Sequence, residues 1–254
     1  MRINTGKGTI SLITLIAIWS VSAVTSLPGL AVSPILGDMN NIFPKASDLE
    51  IQMLTSLPSL LIIPFVLLAG HLSTGRNKLL ILYEGLAIFT LCGVACLLAK
   101  SMTALIIVSS ILGIGAGMII PLSTGLVVDY FTGDSRVQQL GISSAVNNLS
   151  LVLATAIVGW IATKDWHLSF AVYLLPAVSM VMLLALRDTK PSPEPEESDQ
   201  LRQTKIHWIR LVGLSVLYFV ITFTTLVITF YLSFLLEKYR FPQEMSSVMI
   251  SLFF

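Results

Sequence analysis

Charge is what this sequence has least of. Of its 254 residues, 11% are Asp, Glu, Lys or Arg and 55% are hydrophobic. Soluble domains carry roughly 25% charged residues. A water-soluble fold of this length needs more polar surface, so lipid is the expected solvent for most of the outside. The net charge of +1 gives no strong basic or acidic field, and no nucleic-acid partner is expected. Cysteine is almost absent. Cys92 and Cys96 sit four residues apart in one apolar run. That spacing fits neither a redox C-x-x-C pair nor a zinc site, and it reads as packing. The histidines His71, His167 and His207 lie far apart in the chain. No G-x-x-x-x-G-K-S/T, H-E-x-x-H or G-x-S-x-G motif occurs. Nothing therefore marks a soluble enzyme or an ATP-driven pump, and no cofactor is expected.

What the sequence does have is long apolar runs. A helix needs about 20 mostly apolar residues to cross a bilayer. Such runs cover residues 9–36, 51–69, 79–99, 103–128, 140–162, 168–186 and 209–236, and an eighth begins near Glu244. The start has signal-peptide features, with Arg2 and Lys7 ahead of an apolar stretch. Its apolar character continues to Leu36 and equal runs follow, so it reads as an uncleaved first span. Between the sixth and seventh runs the chain turns polar and Pro-rich, with Pro191, Pro193 and Pro195 among Glu194, Glu196 and Glu197. This reads as a linker. The layout predicts an all-α integral membrane protein. A six-helix bundle occupies 1–187, a cytoplasmic linker 188–208, and the start of a second bundle 209–254, as in transporters built from repeated halves. The apolar run at Val248–Phe254 stops in mid-span. Backbone groups left unpaired in lipid are costly, so the chain is expected to be a truncated form of a longer one.

Loop charge sets the expected orientation. With the N-terminus inside, the cytoplasmic segments hold Arg2, Lys7, Arg76, Lys78, Arg136, Arg187, Lys190, Arg202, Lys205 and Arg210. The outer segments hold only Lys45, Lys100, Lys164, Lys238 and Arg240. Ten against five predicts a cytoplasmic N-terminus.

Polar residues inside spans carry the candidate chemistry. Helical spacing gathers Trp19, Ser22 and Ser26 on one face of the first span, with Ser33 further on. The fourth span carries Ser110, Gly113, Gly117, Pro121 and Thr124. The fifth carries Ser144, Asn148, Thr155 and Gly159, with Asn147 adjacent, and the seventh carries Tyr218, Thr222, Thr225, Thr229 and Ser233. These faces either line a central cavity or pack helix on helix, since small and hydroxyl residues serve both ends. Glu84 is the only acid well inside a predicted span, about 7.5 Å along the axis from Leu79. It either handles a proton or cation, or reaches the interface. Asp38, past the outer end of the first span, reads as a solvated cap.

Gly70-His71-Leu72-Ser73-Thr74-Gly75-Arg76-Asn77-Lys78 resembles the loop signature of the major facilitator superfamily. Thr74 and Asn77 stand where that signature has Asp and Gly. Ile111–Gly117 is similar to the family's fourth span, with Ser109 where many members have Arg. Val127–Phe131 resembles the end of that span, and Trp166–Phe170 the approach to the sixth. Of the drug-antiporter signature in the fifth span, Gly159 remains. The resemblance implies two six-helix halves that rock around a central cavity. It also implies a conformational latch in which Arg76 or Lys78, in the loop opened by Gly70, meets Asp129. The activity it implies is secondary transport, with proton-coupled efflux of drug-like compounds across the plasma membrane in the lead. Uptake by symport or facilitated diffusion is the second reading, and a non-transporting structural or regulatory membrane protein the third. The expected partners are the lipid bilayer, a small-molecule substrate and protons.

Overall fold

A computed structural model describes residues 2–6, 8–28, 32, 39–74, 77–162, 164–186 and 208–238. The chain divides into two units, Met1–Pro193 and Glu194–Phe254. The expected linker (188–208, of which only Trp208 is described) and the expected eighth run lie outside the described residues, as do Arg76 and Ser33.

The first unit opens on a hairpin rather than a span. Strands β1 (Arg2–Asn4) and β2 (Thr9–Ser11) pair antiparallel with Ile3 opposite Ile10. Ser11 then caps α1 (Leu12–Val24), its hydroxyl accepting the amide proton of Thr14 at 3.1 Å. The expected helix over 9–36 is thus corrected at its start, and its described helical part ends at Val24. The Thr25 hydroxyl donates to the Ser22 carbonyl at 2.7 Å, and Pro28 follows. Proline has no amide proton and disfavours the helical conformation in the residue before it.

A short helix α2 (Met39–Ile42) precedes α3 (Asp48–Leu72). The start of α3 is a capping box: Glu50 N donates to Ser47 Oγ, and Ser47 N to Glu50 Oε2 at 2.8 Å. This polar turn sets the start of α3 three residues before the expected apolar run. Asn77 caps α4 (Lys78–Leu98) and Ser101 caps α5 (Met102–Tyr130). Helix α6 (Gly133–Ala162) begins seven residues before its expected span. Where one continuous sixth span was expected, a 3-10 segment (Trp166–Leu174) leads into α7 (Leu175–Leu183) and a last 3-10 turn (Leu184–Leu186). Pro176 sits in the first turn of α7. A proline there cannot receive the preceding helix, because its ring collides with the carbonyl four residues back. The second unit holds α8 (Trp208–Lys238). Among the described residues, α3, α4, α5 and α6 are long and apolar enough to cross a membrane, and α1, the α7 region and the Trp208–Thr224 part of α8 are apolar over 10–17 residues.

Helix α5 is the axis of the first unit, packed between α3 and α4. Its glycines explain how. Gly113 and Gly117 lie one turn apart and face α3. A Cβ on Gly113 would strike the backbone of Pro58, and one on Gly117 would lie 2.8 Å from the Ile62 carbonyl oxygen. Gly115 points the other way, where a Cβ would sit 2.8 Å from the Gly85 carbonyl oxygen of α4. Small residues allow such close backbone approach in lipid, where helix association rests on packing. For Gly113 and Gly117 these contacts are helix packing. Phe89, Tyr173 and Phe170 fill the core on the far side of α4, with Phe89 and Tyr173 edge to face at 5.4 Å.

The α5–α6 corner is tied from two sides. Arg136 donates from Nε to the Phe131 carbonyl at 2.8 Å and from Nη2 to the Val128 carbonyl at 3.2 Å. It thereby satisfies carbonyls left open where a helix ends, with a cation at the negative pole. The hairpin turn reaches the same corner, with Thr132 N donating to the Thr5 carbonyl at 3.0 Å. Arg136→Ala is expected to lower the melting temperature of the detergent-purified protein by about 4 °C, for a loss near 1–2 kcal/mol. An unchanged thermal transition would show that the corner does not depend on this clamp.

Candidate functional site

The polar groups of the first unit converge where α1, α5 and α6 meet. Residues Gln139, Ser143 and Asn147 recur every four positions, so they share one face of α6. That face meets the Trp19–Ser22–Ser26 face of α1. Trp19 Nε1 donates to Gln139 Oε1 at 3.1 Å, and Ser26 Oγ donates to Asn147 Oδ1 at 2.7 Å. Thr25 Oγ1 stands 3.0 Å from the same Asn147 oxygen but also 2.7 Å from the Ser22 carbonyl. One hydroxyl proton cannot serve both acceptors. Turning the Asn147 amide over resolves the conflict, because its Nδ2 then donates to both Thr25 and Ser26, reversing the direction of the Ser26 bond. Helix α5 closes the third side, with Ser123 Oγ 3.2 Å from Ser22 Oγ.

Between these helices lies a cleft of about 140 Å³ lined by Ser22, Thr25, Ile120, Ser123, Thr124, Val127, Leu140, Ser143, Ser144 and Asn147. Six of the ten are hydroxyl residues and one is an amide. Ser143 is 8% exposed, yet its buried hydroxyl has no hydrogen-bond partner. Leaving such a group unsatisfied costs about 1–3 kcal/mol.

The residues expected from sequence are distributed as follows. Trp19, Ser22 and Ser26 join the network. Asn148 does not; it is exposed on α6, and the residue that enters is its neighbour Asn147. One position is 100° of arc on a helix, which sets Asn147 toward α1 and leaves Asn148 off this cleft. Ser110 also stands off this cleft, its hydroxyl donating to the Ile106 carbonyl of its own helix at 2.6 Å. Glu84 is half-buried on α4 and is not among the cleft's lining residues. On α8, Thr222 donates to the Tyr218 carbonyl one turn back at 2.9 Å. The side chain of Thr225 lies outside the described set. Gln139, Ser143 and Ser123 were missed. Gln139 precedes the expected fifth run, whereas Ser143 lies inside it, and their four-residue spacing with Asn147 was visible.

A second polar feature lies where α4 begins and α5 ends. Lys78 Nζ donates to both carboxylate oxygens of Asp129, at 2.7 and 2.9 Å. The side chains are 44% and 23% exposed. Gly70, at the end of α3, is exposed with open space around it, and its carbonyl accepts from Ser73 Oγ at 2.8 Å. Among the described residues, no three His, Cys, Asp or Glu side chains come together to hold a metal ion.

The chain is similar to known proteins in sequence and in fold. The chain is 29% identical over 161 residues to the multidrug transporter protein MdtP of Bacillus subtilis, covering 63% of this chain and 29% of that protein. It is 25% identical over 202 residues to the quinolone resistance protein NorA of Staphylococcus aureus, covering 77% of this chain and 51% of that one. It thus spans about half or less of the length of these relatives. Among solved structures, the inward-open xylose transporter XylE of E. coli superposes with a TM-score of 0.57 at 16% identity, over 87% of this chain and 58% of that one. A peptide transporter bound to alafosfalin superposes at 0.58 with 17% identity, over 88% of this chain and 48% of that one. These two likenesses show the shared fold. The sequence pattern of the Major Facilitator Superfamily matches residues 10–254, and with the apolar bundle and its interior cleft this makes the chain a multi-pass membrane protein belonging to that superfamily.

Proposed function

We propose that the full-length protein carries small drug-like solutes out of the cell by alternating access, in exchange for protons. The observation that carries this reading is the α1–α5–α6 cleft, a hydrogen-bonding surface inside a bundle that is otherwise apolar. Polar groups at membrane depth are costly and mark solute pathways. The curated relatives named above are a multidrug transporter and a quinolone resistance protein, which favours efflux. In this reading residues 1–187 are one half, 188–208 a cytoplasmic linker and 209–254 the start of the other half. Tyr218, Thr222 and Thr225 then contribute to the cavity from the second half. The N-terminus faces the cytoplasm of a plasma membrane, on the ten-to-five distribution of Lys and Arg. The Lys78–Asp129 pair, which joins the start of α4 to the end of α5, acts as a conformational latch, with Gly70 and Arg76 in the stretch of chain just ahead of Lys78. Glu84 is the candidate proton or cation site, as a half-buried acid within α4.

Everted membrane vesicles test the coupling. Radiolabelled chloramphenicol should accumulate when the lumen is made acidic, by at most about tenfold per pH unit for an uncharged solute exchanged with one proton. Nigericin should abolish the accumulation. Flux that ignores the pH gradient rules out proton exchange, and accumulation driven by an alkaline lumen reverses the direction to symport. The hydroxyl lining suits that second reading, uptake of a polar nutrient, equally well.

A further inference from the structure

We infer that the amino-terminal hairpin is a releasable strap, which ties the start of α1 to the α5–α6 corner and closes the seam between α5 and α6 at that end of the bundle. The seam needs a tie. Helix α5 packs mainly on α3 and α4, whereas α6 packs mainly on α1 and the 3-10 segment before α7. Although consecutive in sequence, α5 and α6 thus belong to different packing groups and share little contact of their own. At the corner between them, Arg136 holds the Phe131 carbonyl from the α6 side. The hairpin holds the next residue from the α1 side. There the Thr5 carbonyl accepts from both Thr132 N at 3.0 Å and Thr132 Oγ1 at 3.4 Å. Ser11 both ends β2 and caps α1, so no slack separates the strap from the helix it tethers. Lys78 and Asp129 pair at the same end of the bundle, with Asp129 three residues before Thr132.

The docked form is specific. Thr5 and Ile10 are buried although they lie near the start of the chain, and Ile10 belongs to the hydrophobic core of the first unit. Gly6 has a φ of +90°, and a Cβ on it would lie 2.7 Å from both the Thr132 carbonyl oxygen and Thr132 Oγ1. Glycine is thus required twice, by backbone conformation and by close approach. Gly8, in the same turn, has room for a Cβ, whose nearest neighbour would be Thr5 Oγ1 at 3.9 Å. Its small size makes the strap releasable. Each strand has three residues, and a lone two-stranded hairpin is at best marginally stable in water. The hairpin depends for its order on docking, so undocking at Thr132 melts it as one unit. Docked and released forms make a two-state element that fixes or frees the corner next to Asp129.

The test uses the full-length protein in detergent, labelled with a charged maleimide at one of two reporter cysteines. Ile10→Cys reports on the hairpin. Val127→Cys, 1% exposed in the last turn of α5, reports on the seam. The native Cys92 and Cys96 are buried and give the background. Each reporter is combined in turn with Gly6→Ala and with Gly8→Ala. Gly6→Ala should speed the labelling of both reporters about tenfold, as docking bonds are lost. Gly8→Ala should leave both at the rate of the reporter alone. A chain begun at Thr9 lacks the strap without the added methyl, and it should expose Val127→Cys at least as much as Gly6→Ala does. Unchanged labelling of Val127→Cys in Gly6→Ala or in the shortened chain overturns the strap, whatever happens at Ile10→Cys, because the seam then stays closed without it. Equal acceleration by Gly8→Ala, or matching acceleration at Cys92 and Cys96, means general loosening and also overturns it.

Discussion

Gly113→Ala should lower the melting temperature of the purified protein by about 10 °C, and Gly113→Leu should leave no folded protein at all. The Ala figure corresponds to about 3 kcal/mol at about 2–4 °C per kcal/mol for a chain of this size. The cause is backbone against backbone. A Cβ at Gly113 meets the Pro58 carbonyl, α-carbon and carbonyl carbon of α3, none of which belongs to a flexible side chain. Relief requires α3 and α5 to separate along their shared face, which loosens the Gly117–Ile62 contact one turn on. In lipid no hydrophobic effect compensates for lost helix contact. Gly125 supplies the control on the same helix, because a Cβ there meets nothing within 4 Å. Gly125→Ala should be neutral or stabilising by up to about 1 kcal/mol, through the better helix propensity of Ala. Thermal unfolding of both variants in one detergent decides the matter. Equal melting temperatures for Gly113→Ala and Gly125→Ala would mean that the α3–α5 contact is not the close one described.

How far such features were readable in advance depended on their range. Periodicity placed Trp19, Ser22 and Ser26 on one face because i, i+3 and i+4 spacing is local and the helix there is regular. It could not choose between Asn147 and Asn148, which have the same chemistry and differ only by 100° about an axis whose orientation α1 and α5 fix. Gly113 and Gly117 carried two readings in the sequence, and only the position of Pro58, far away in the chain, selected packing. Helix ends were misread wherever polar capping extended an apolar run, as at Ser47–Glu50 and over Gly133–Gln139. The hairpin before α1 was absorbed into the first span because Thr9-Ile10-Ser11 carries no charge and runs directly into an apolar helix. The Trp19–Gln139 and Ser26–Asn147 bonds span more than a hundred residues, and a single sequence holds no record of such pairs. The resemblance did name Asp129 as a partner for a basic residue in the loop before α4, and Lys78 is found there.

The largest expected effect on transport belongs to that pair. Asp129→Asn should slow transport by up to about fivefold while lowering the melting temperature by no more than about 3 °C. The two magnitudes differ for a physical reason. An ion pair this exposed contributes only about 0.2–1 kcal/mol to folding. If the pair is made in one conformation of the cycle and broken in another, the same energy acts on the balance between them, where about 1 kcal/mol is a fivefold shift. Helix dipoles sharpen the test. Lys78 sits at the positive end of α4 and Asp129 at the negative end of α5. Each charge is therefore placed against its own helix, at about 0.3–1 kcal/mol apiece. The double variant Lys78→Asp with Asp129→Lys keeps a pair and reverses both dipole terms. It should melt at or above the wild-type temperature, whereas either single substitution brings like charges together and melts lower. A latch also predicts that the double variant recovers transport lost in the singles. Recovery of stability without recovery of flux would make the pair a structural clamp, and full transport by Asp129→Asn would remove the pair from the cycle.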